Sequence, residues 1–276
     1  MPLCKGIRFF ETTRGSGGLP PVVLIHGAGC DHLIWPPALR RMDKLRVIAP
    51  DLPGHGNSER KPCASIRGYA ERMLQFLDDR GVFHVAVAGH SMGALIALEM
   101  ARLAPEQVTC LALISAGLEP LSSPRIAHLI DQPLDPNLVR RILTETFFSS
   151  STPPGVKDIV LKNFDILQAG QILRDSRLCL GHDPGFEGVS PALPVCVISG
   201  EDDQIIRPAS ARAIAGRFQH SYFHSVKNAG HMLIQEQPQV IATILAAFFK
   251  ECFSPIQSPE AVHPLSRNTF QFSPPS

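Results

Sequence analysis

The sequence predicts an α/β protein in which helices cover both faces of a mostly parallel, twisted sheet. Three observations carry this. Short apolar runs of strand length alternate with stretches of helical periodicity, the order that builds parallel sheets. The chain has 276 residues, 44% of them hydrophobic, enough for one large core with an inserted segment. Between about Gly117 and Pro191 the strand pattern stops and a proline-punctuated, helix-like segment replaces it. That segment is read as a helical cap. The chain then divides into a core (1–116 and 192–252), the cap (117–191) and a Ser- and Pro-rich tail (253–276) expected to be disordered.

Each element follows in order along the chain. Ile7 to Thr13 reads as an early strand. The turn-forming Gly15-Ser16-Gly17-Gly18-Leu19-Pro20-Pro21 leads into Val22-Val23-Leu24-Ile25, which ends at His26-Gly27. A helix from about His32 to Lys44 precedes a strand at Arg46 to Ala49. Ile66 to Arg80 places Tyr69, Met73, Phe76 and Leu77 at helical spacing. His84 to Ala88 is the next strand, and the helix from about Gly93 to Leu103 is apolar on nearly all sides, hence buried. Val108 to Ser115 is a further strand. Within the cap, helices fall at Pro136 to Phe147 and Lys157 to Leu173. The sheet resumes at Pro194 to Ser199, continues past a helix (Ala209 to Arg217) with Ser221 to Val226, and closes with the helix Val240 to Phe249.

Charge and cysteine usage narrow the function classes. Lys and Arg (26) nearly balance Asp and Glu (25), so no long-range field draws the chain to nucleic acid or an anionic membrane. A small-molecule substrate is the default partner. The N-terminus lacks the basic region and apolar stretch of a secretory signal, and no apolar run approaches the roughly 20 residues of a membrane span. The seven cysteines are odd in number, scattered and never spaced as CxxC, the pattern of free thiols in a reducing, cytoplasmic compartment. Cys110 and Cys196 fall inside apolar strands, where Cys packs as a small hydrophobe. No metal site is suggested.

The chemistry centres on Gly89-His90-Ser91-Met92-Gly93. An apolar strand, Val85-Ala86-Val87-Ala88, runs into it and a helical pattern leaves it. So sharp a turn strains the intervening residue and exposes its side chain, which marks Ser91 as a nucleophile. A serine hydroxyl needs a base to take its proton and a carboxylate to orient that base. Of the eleven histidines, His231 has the best context, in Asn228-Ala229-Gly230-His231-Met232 between the last strand and the last helix. The acid lies in Gly200-Glu201-Asp202-Asp203-Gln204, where loops at the carboxyl edge of a sheet converge on ligands.

With these residues in hand the chain resembles the α/β-hydrolase superfamily, in its branch of small esterases, lactonases and monoacylglycerol-lipase-like enzymes. The motifs are His26-Gly27-Ala28-Gly29, Asp51-Leu52-Pro53-Gly54-His55-Gly56-Asn57-Ser58, the elbow at Ser91, and Gly200 to Pro208 with its Gly-x-x-Asp. The resemblance implies Asp203 as the triad acid, with Glu119, after the strand that follows the elbow, as the competing position. It implies backbone N–H groups of Ala28 and Met92 as an oxyanion hole. His26 and His55 are then structural, and His90 packs behind the nucleophile. Cys30, beside the oxyanion loop, lacks a positioned base. Trp35, Phe147, Phe148, Phe164 and Met232 are candidates for the substrate pocket, with core packing as the other reading. The implied reaction is hydrolysis of small or medium carboxylic esters through an acyl-Ser91 intermediate, without metal or organic cofactor. Carbon-carbon bond hydrolysis and perhydrolysis on the same triad stay open, as does a small-molecule receptor with slow turnover.

Overall fold

Eight strands assemble into one sheet in the computed structural model, which describes residues 1–12, 19–118, 123–130, 132–161, 166–183 and 185–254. The strands are β1 (Leu3–Cys4), β2 (Ile7–Glu11), β3 (Val22–Ile25), β4 (Val47–Pro50), β5 (Val85–His90), β6 (Val108–Ile114), β7 (Val195–Gly200) and β8 (Ser221–Val226). Their spatial order is β1-β2-β4-β3-β5-β6-β7-β8. The first two pairings are antiparallel and the other five parallel. The central strands are buried on both faces and read as continuous apolar runs, as parallel strands do.

Strand periodicity sorts these residues into two cores. Val23, Ile25, Val85, Val87, Leu111, Leu113 and Val197 share one face with helices α2 (Ile66–Asp78), α3 (Met92–Leu103) and α8 (Pro208–Ala215). Leu24, Ala86, Ala88, Cys110, Ala112, Cys196 and Ile198 share the other with α1 (Pro37–Arg40) and α10 (Pro238–Phe253). Cys110 and Cys196 are therefore core packing, and all seven cysteines are free. The side chain of Ser65 starts α2 by accepting the Gly68 N–H at 3.0 Å.

Between β6 and β7 the chain forms α4 (Pro124–Ile130), α5 (Pro136–Thr146), α6 (Pro154–Leu161) and α7 (Ile166–Leu180). They share a cluster of their own, in which Val139, Leu143, Ala169 and Leu173 meet Ile205 and Ile206 from the loop after β7.

Several expectations need correction. The helix expected at His32 to Lys44 is a 3₁₀ turn, His32–Ile34, followed by extended Trp35 and the short α1. Pro36 and Pro37 lack the N–H groups that a continuous helix requires, and each disfavours helical backbone in the residue before it. The helix expected at Lys157 to Leu173 is two, α6 and α7, and the second runs on to Leu180. β1, α4 and the four-residue α9 (Leu233–Glu236) are too short to carry a periodicity. Phe253, assigned to the tail, ends α10 with its ring stacked on Phe249 at 6.3 Å. Residues 255–276, Glu119 and Phe164 lie outside the described residues. Among the described residues no helix is long and apolar enough to cross a membrane.

Candidate active site

β5 delivers Ser91 to the carboxyl edge of the sheet with φ 54° and ψ −119°, between the last strand residue and the first turn of α3. That left-handed backbone is strained for serine, and the close packing around it explains its glycine neighbours. A Cβ on Gly89 would fall 2.1 Å from the Gly93 carbonyl oxygen, and one on Gly93 would fall 2.1 Å from that of Ile25. The Ser91 N–H donates to the Ile114 carbonyl at 2.8 Å, which ties the elbow to β6.

His231 follows β8. Its Nε2 stands 2.9 Å from Ser91 Oγ, and its Nδ1 stands 3.0 and 3.2 Å from the two carboxylate oxygens of Asp203. Residues far apart in sequence are thus joined in one hydrogen-bonded chain. With Nδ1–H donating to Asp203, the Nε2 lone pair faces the Ser91 hydroxyl and can take its proton. Asp203 is buried, and its Oδ1 also accepts the N–H groups of Ile205 and Ile206 at 2.9 Å each. Burial pushes the carboxyl upward, but the charge and hydrogen bond of His231, with those two N–H groups, outweigh it and hold the carboxyl below its ordinary range. Glu201 and Asp202 are exposed, and Asp202 accepts a hydrogen bond from the Ser149 hydroxyl.

Other groups fix the histidine loop. The His231 carbonyl accepts His90 Nε2–H at 2.8 Å and the Ser115 hydroxyl at 3.1 Å. The Met232 N–H donates to the Phe147 carbonyl at 3.0 Å. Glu236 accepts the N–H groups of Gly230 and Ser149 at 2.8 Å each, and also bonds the Thr152 hydroxyl. Sequence reasoning missed Ser115 and Glu236. Ser115 carried one signal, a polar residue ending an apolar strand, and its φ of 50° repeats the bend at Ser91. His90, expected only to pack, also donates to the His231 carbonyl.

Ala28 sits in the turn closed by Cys30 N–H to the Gly27 carbonyl at 3.3 Å. The turn lies against the elbow, since a Cβ on Gly27 would fall 3.3 Å from the Ser91 Cβ. Met92 is the first residue of α3, where N–H groups have no partner within the helix. His26 donates Nδ1–H to the Gly27 carbonyl at 2.9 Å and accepts the Leu52 N–H on Nε2 at 3.0 Å, which pins both motif loops. Cys30 is a poor nucleophile: burial first, then the charges of Asp31 and Asp175, push its thiol up to about 12.

The pocket candidates separate. Phe147 lies against His231 with ring centroids 5.2 Å apart. Phe148 and Met232 are buried together with Leu161. Trp35 follows its packing reading. It is fully buried in the core with Leu39, and stands edge-on to His90 at 6.5 Å, because the two prolines after it turn the chain back onto the sheet.

Asp31, His32 and Asp51 bring three ligand atoms within 4.8 Å of one another. Asp51 Oδ1 accepts His32 N–H and Nδ1–H at 2.9 and 2.7 Å, and its Oδ2 accepts the Asn57 N–H at 3.0 Å. Asp31 accepts the Leu33 N–H at 2.7 Å. Local donors already occupy these carboxylates, and the group reads as loop structure.

Comparison with known proteins bears on the family and the fold. The chain is 31% identical over 268 residues to the dihydrolipoyllysine-residue acetyltransferase component of the acetoin cleaving system of Pseudomonas putida, covering 89% of this chain and 67% of that protein. It is 25% identical to a monoacylglycerol lipase of Xenopus laevis, covering 87% and 79%. Matches to several other curated relatives span only 30% to 48% of their length. The fold is that of a thermophilic esterase from Thermogutta terrifontis, with TM-score 0.76, 23% identity, and 90% and 94% of the two chains covered. The family model described as alpha/beta hydrolase family matches residues 22–244. That match begins at β3, the first strand of the parallel sheet, and ends inside α10, and on it the chain belongs to the alpha/beta hydrolase family.

Proposed function

We propose that the protein is a carboxylic ester hydrolase working through an acyl-enzyme on Ser91. The observation that carries the reading is the buried chain from Asp203 through His231 to Ser91 Oγ, at 3.0 and 2.9 Å. His231 Nε2 takes the Ser91 proton as Oγ bonds to the ester carbonyl carbon. The tetrahedral oxyanion accepts the N–H groups of Ala28 and Met92; each such donor contributes roughly 10²–10³ in rate. His231 then gives its proton to the leaving alkoxide, and the acyl group stays on Ser91. A water deprotonated by the same imidazole attacks the acyl carbon, and the acid departs as Oγ regains its proton. Asp203 stays ionised and stabilises the imidazolium. No step calls for a metal or an organic cofactor.

Helices α4–α7 act as the cap over this site, and Phe147 forms the wall of the acyl pocket beside His231. The substrates are small or medium-chain esters. Relatives named as a monoacylglycerol lipase and a thermophilic esterase support an ester over other acyl compounds. The test is a turnover screen over p-nitrophenyl esters of graded length, lactones and monoacylglycerols, with Ser91→Ala as control. Multiple turnovers abolished in Ser91→Ala are expected; activity that persists in that variant, or binding without turnover, overturns the mechanism.

A further inference from the structure

One buried carboxylate takes no part in that chemistry. Asp175, on α7, is fully buried, yet each of its oxygens is engaged. Oδ2 accepts the Gly29 N–H at 2.9 Å and His55 Nε2–H at 2.7 Å, while Oδ1 accepts Arg174 Nε and Nη2 at 2.9 and 2.7 Å. On its other side the His55 Nδ1 stands 3.0 Å from the Pro53 carbonyl oxygen. A second α7 side chain reaches the same strip of backbone, since Gln171 donates to the Gly54 carbonyl at 2.8 Å. Contact is close throughout. A Cβ on Gly29 would fall 2.2 Å from Ile172 Cγ1.

Gly29 directly follows Ala28. The turn carrying the Ala28 N–H is therefore gripped from two sides, by the Ser91 elbow at Gly27 and by α7 at Gly29. A buried ion pair adds little net stability over an apolar replacement of the same shape. What it supplies is direction: a charged acceptor with four fixed donors holds one peptide plane in one orientation.

We propose that Asp175 is a positioning residue for the oxyanion loop: by holding the Gly29 N–H from α7, it aims the Ala28 N–H at the carbonyl oxygen bound to Ser91. This rests on the esterase reading above. It also ties the order of the oxyanion hole to the docking of α7, so that an inserted helix completes a site otherwise built from the sheet.

The test uses the whole protein as wild type, Asp175→Ala, Asp175→Asn, the double variant Asp175→Leu/His55→Leu, and the core control Phe76→Leu. Melting is measured first, and p-nitrophenyl butyrate hydrolysis is followed well below every Tm. Asp175→Ala is expected to lower kcat about 10- to 100-fold, part of the loss seen when an oxyanion donor is removed, with KM within about 3-fold. Affinity for a trifluoromethyl ketone, which binds as an oxyanion adduct, falls by the same factor. Asp175→Asn, whose amide oxygen still accepts the Gly29 N–H, recovers most of both losses, and Phe76→Leu lowers Tm while leaving kcat unchanged. If Asp175→Ala does not fold, the double variant decides, because it removes both fully buried partners together and leaves only the half-buried Arg174, which water can reach. Folded variants that keep kcat within about 3-fold, or lose kcat with unaltered ketone affinity, overturn the proposal. A wild-type protein without ester turnover overturns the esterase reading instead.

Discussion

Lowering the pH from 7.5 to 5.0 is expected to cost the fold about 4 kcal/mol through two buried imidazoles, His26 and His90. Burial first, then the charge of His55, push His26 down to about 3. Its Nε2 lone pair accepts the Leu52 N–H, so a second proton would break that bond. Burial first, then the charge of His231, push His90 down to about 3 as well. Its Nε2–H already serves the His231 carbonyl, and its buried Nδ1 has no acceptor among the described residues. Both folded values lie below the ordinary 6.5, so between about 6.5 and about 3 the unfolded chain binds more protons. Stability present above 6.5 is therefore lost as the pH falls through that window. At about 1.36 kcal/mol per pH unit, the interval from 6.5 to 5.0 gives about 2 kcal/mol for each ring. His182 and His224, partly buried and also lowered, add in the same direction, while Asp31, raised by burial, opposes them. The assay is urea unfolding at several pH values, read from the fluorescence of Trp35, the single tryptophan, which abuts His90. With a slope of about 3 kcal/mol/M the midpoint should fall by about 1 M at pH 5.0. His90→Asn, which can still donate to the His231 carbonyl, should remove about half of the pH dependence. A midpoint that moves less than about 0.3 M, or a His90→Asn slope parallel to wild type, refutes the reasoning.

Three further outcomes follow from the same geometry. Ser91→Gly should abolish turnover yet raise Tm by about 2–6 °C in calorimetry, since glycine relieves backbone strain of about 1–3 kcal/mol at φ 54°; an unchanged or lower Tm counts against the strain. Asp203→Asn should lower kcat by roughly 10⁴, as loss of the orienting carboxylate does in serine proteases, whereas Asp202→Asn should stay within about 10-fold; equal losses in stopped-flow hydrolysis would remove Asp203 from its role. Gly93→Ala, whose Cβ meets the Ile25 carbonyl at 2.1 Å, should cost at least about 3 kcal/mol by chemical denaturation, and a cost under about 1 kcal/mol would mean that the elbow yields more easily than its packing implies.

Much of this fold is legible because its central strands are buried on both faces. Val22–Ile25 and Val85–His90 have no polar alternation to obscure them, and glycine or a buried helix marks where each stops. Ser91 and His231 are legible because a strained elbow and a glycine-flanked loop need particular residues. What sequence reading lost depends on long-range partners. Trp35 stays open between core packing and pocket wall until the sheet face that covers it is known. Asp175 lies among the polar residues of an ordinary helix, and nothing in the sequence says that Gly29, 146 residues away, will donate to it. Ser115 and Glu236 act on backbone groups, and a bond to backbone leaves no signature in the identity of its partner.

The same bonds bear on how substrate choice can vary. The proposed cap is held to the loops of the candidate site by several hydrogen bonds, among them the Phe147 carbonyl on the Met232 N–H, Ser149 between Asp202 and Glu236, and Asp175 on Gly29. Each of these steadies a loop that carries a group the proposed mechanism uses. A change in the inserted helices that reshapes the pocket therefore also loads the base loop or the oxyanion loop, unless these contacts persist. The α4–α5 face, where Ile126, Leu129, Ile130, Val139 and Leu143 pack, makes none of these hydrogen bonds, but it packs on Ile205 and Ile206, whose N–H groups hold Asp203. Under the proposed esterase reading, substitutions there that keep the packing on Ile205 and Ile206 are expected to alter which acyl chain fits with the least effect on rate, whereas changes around Phe147 to Thr152 and along α7 alter selectivity and rate together.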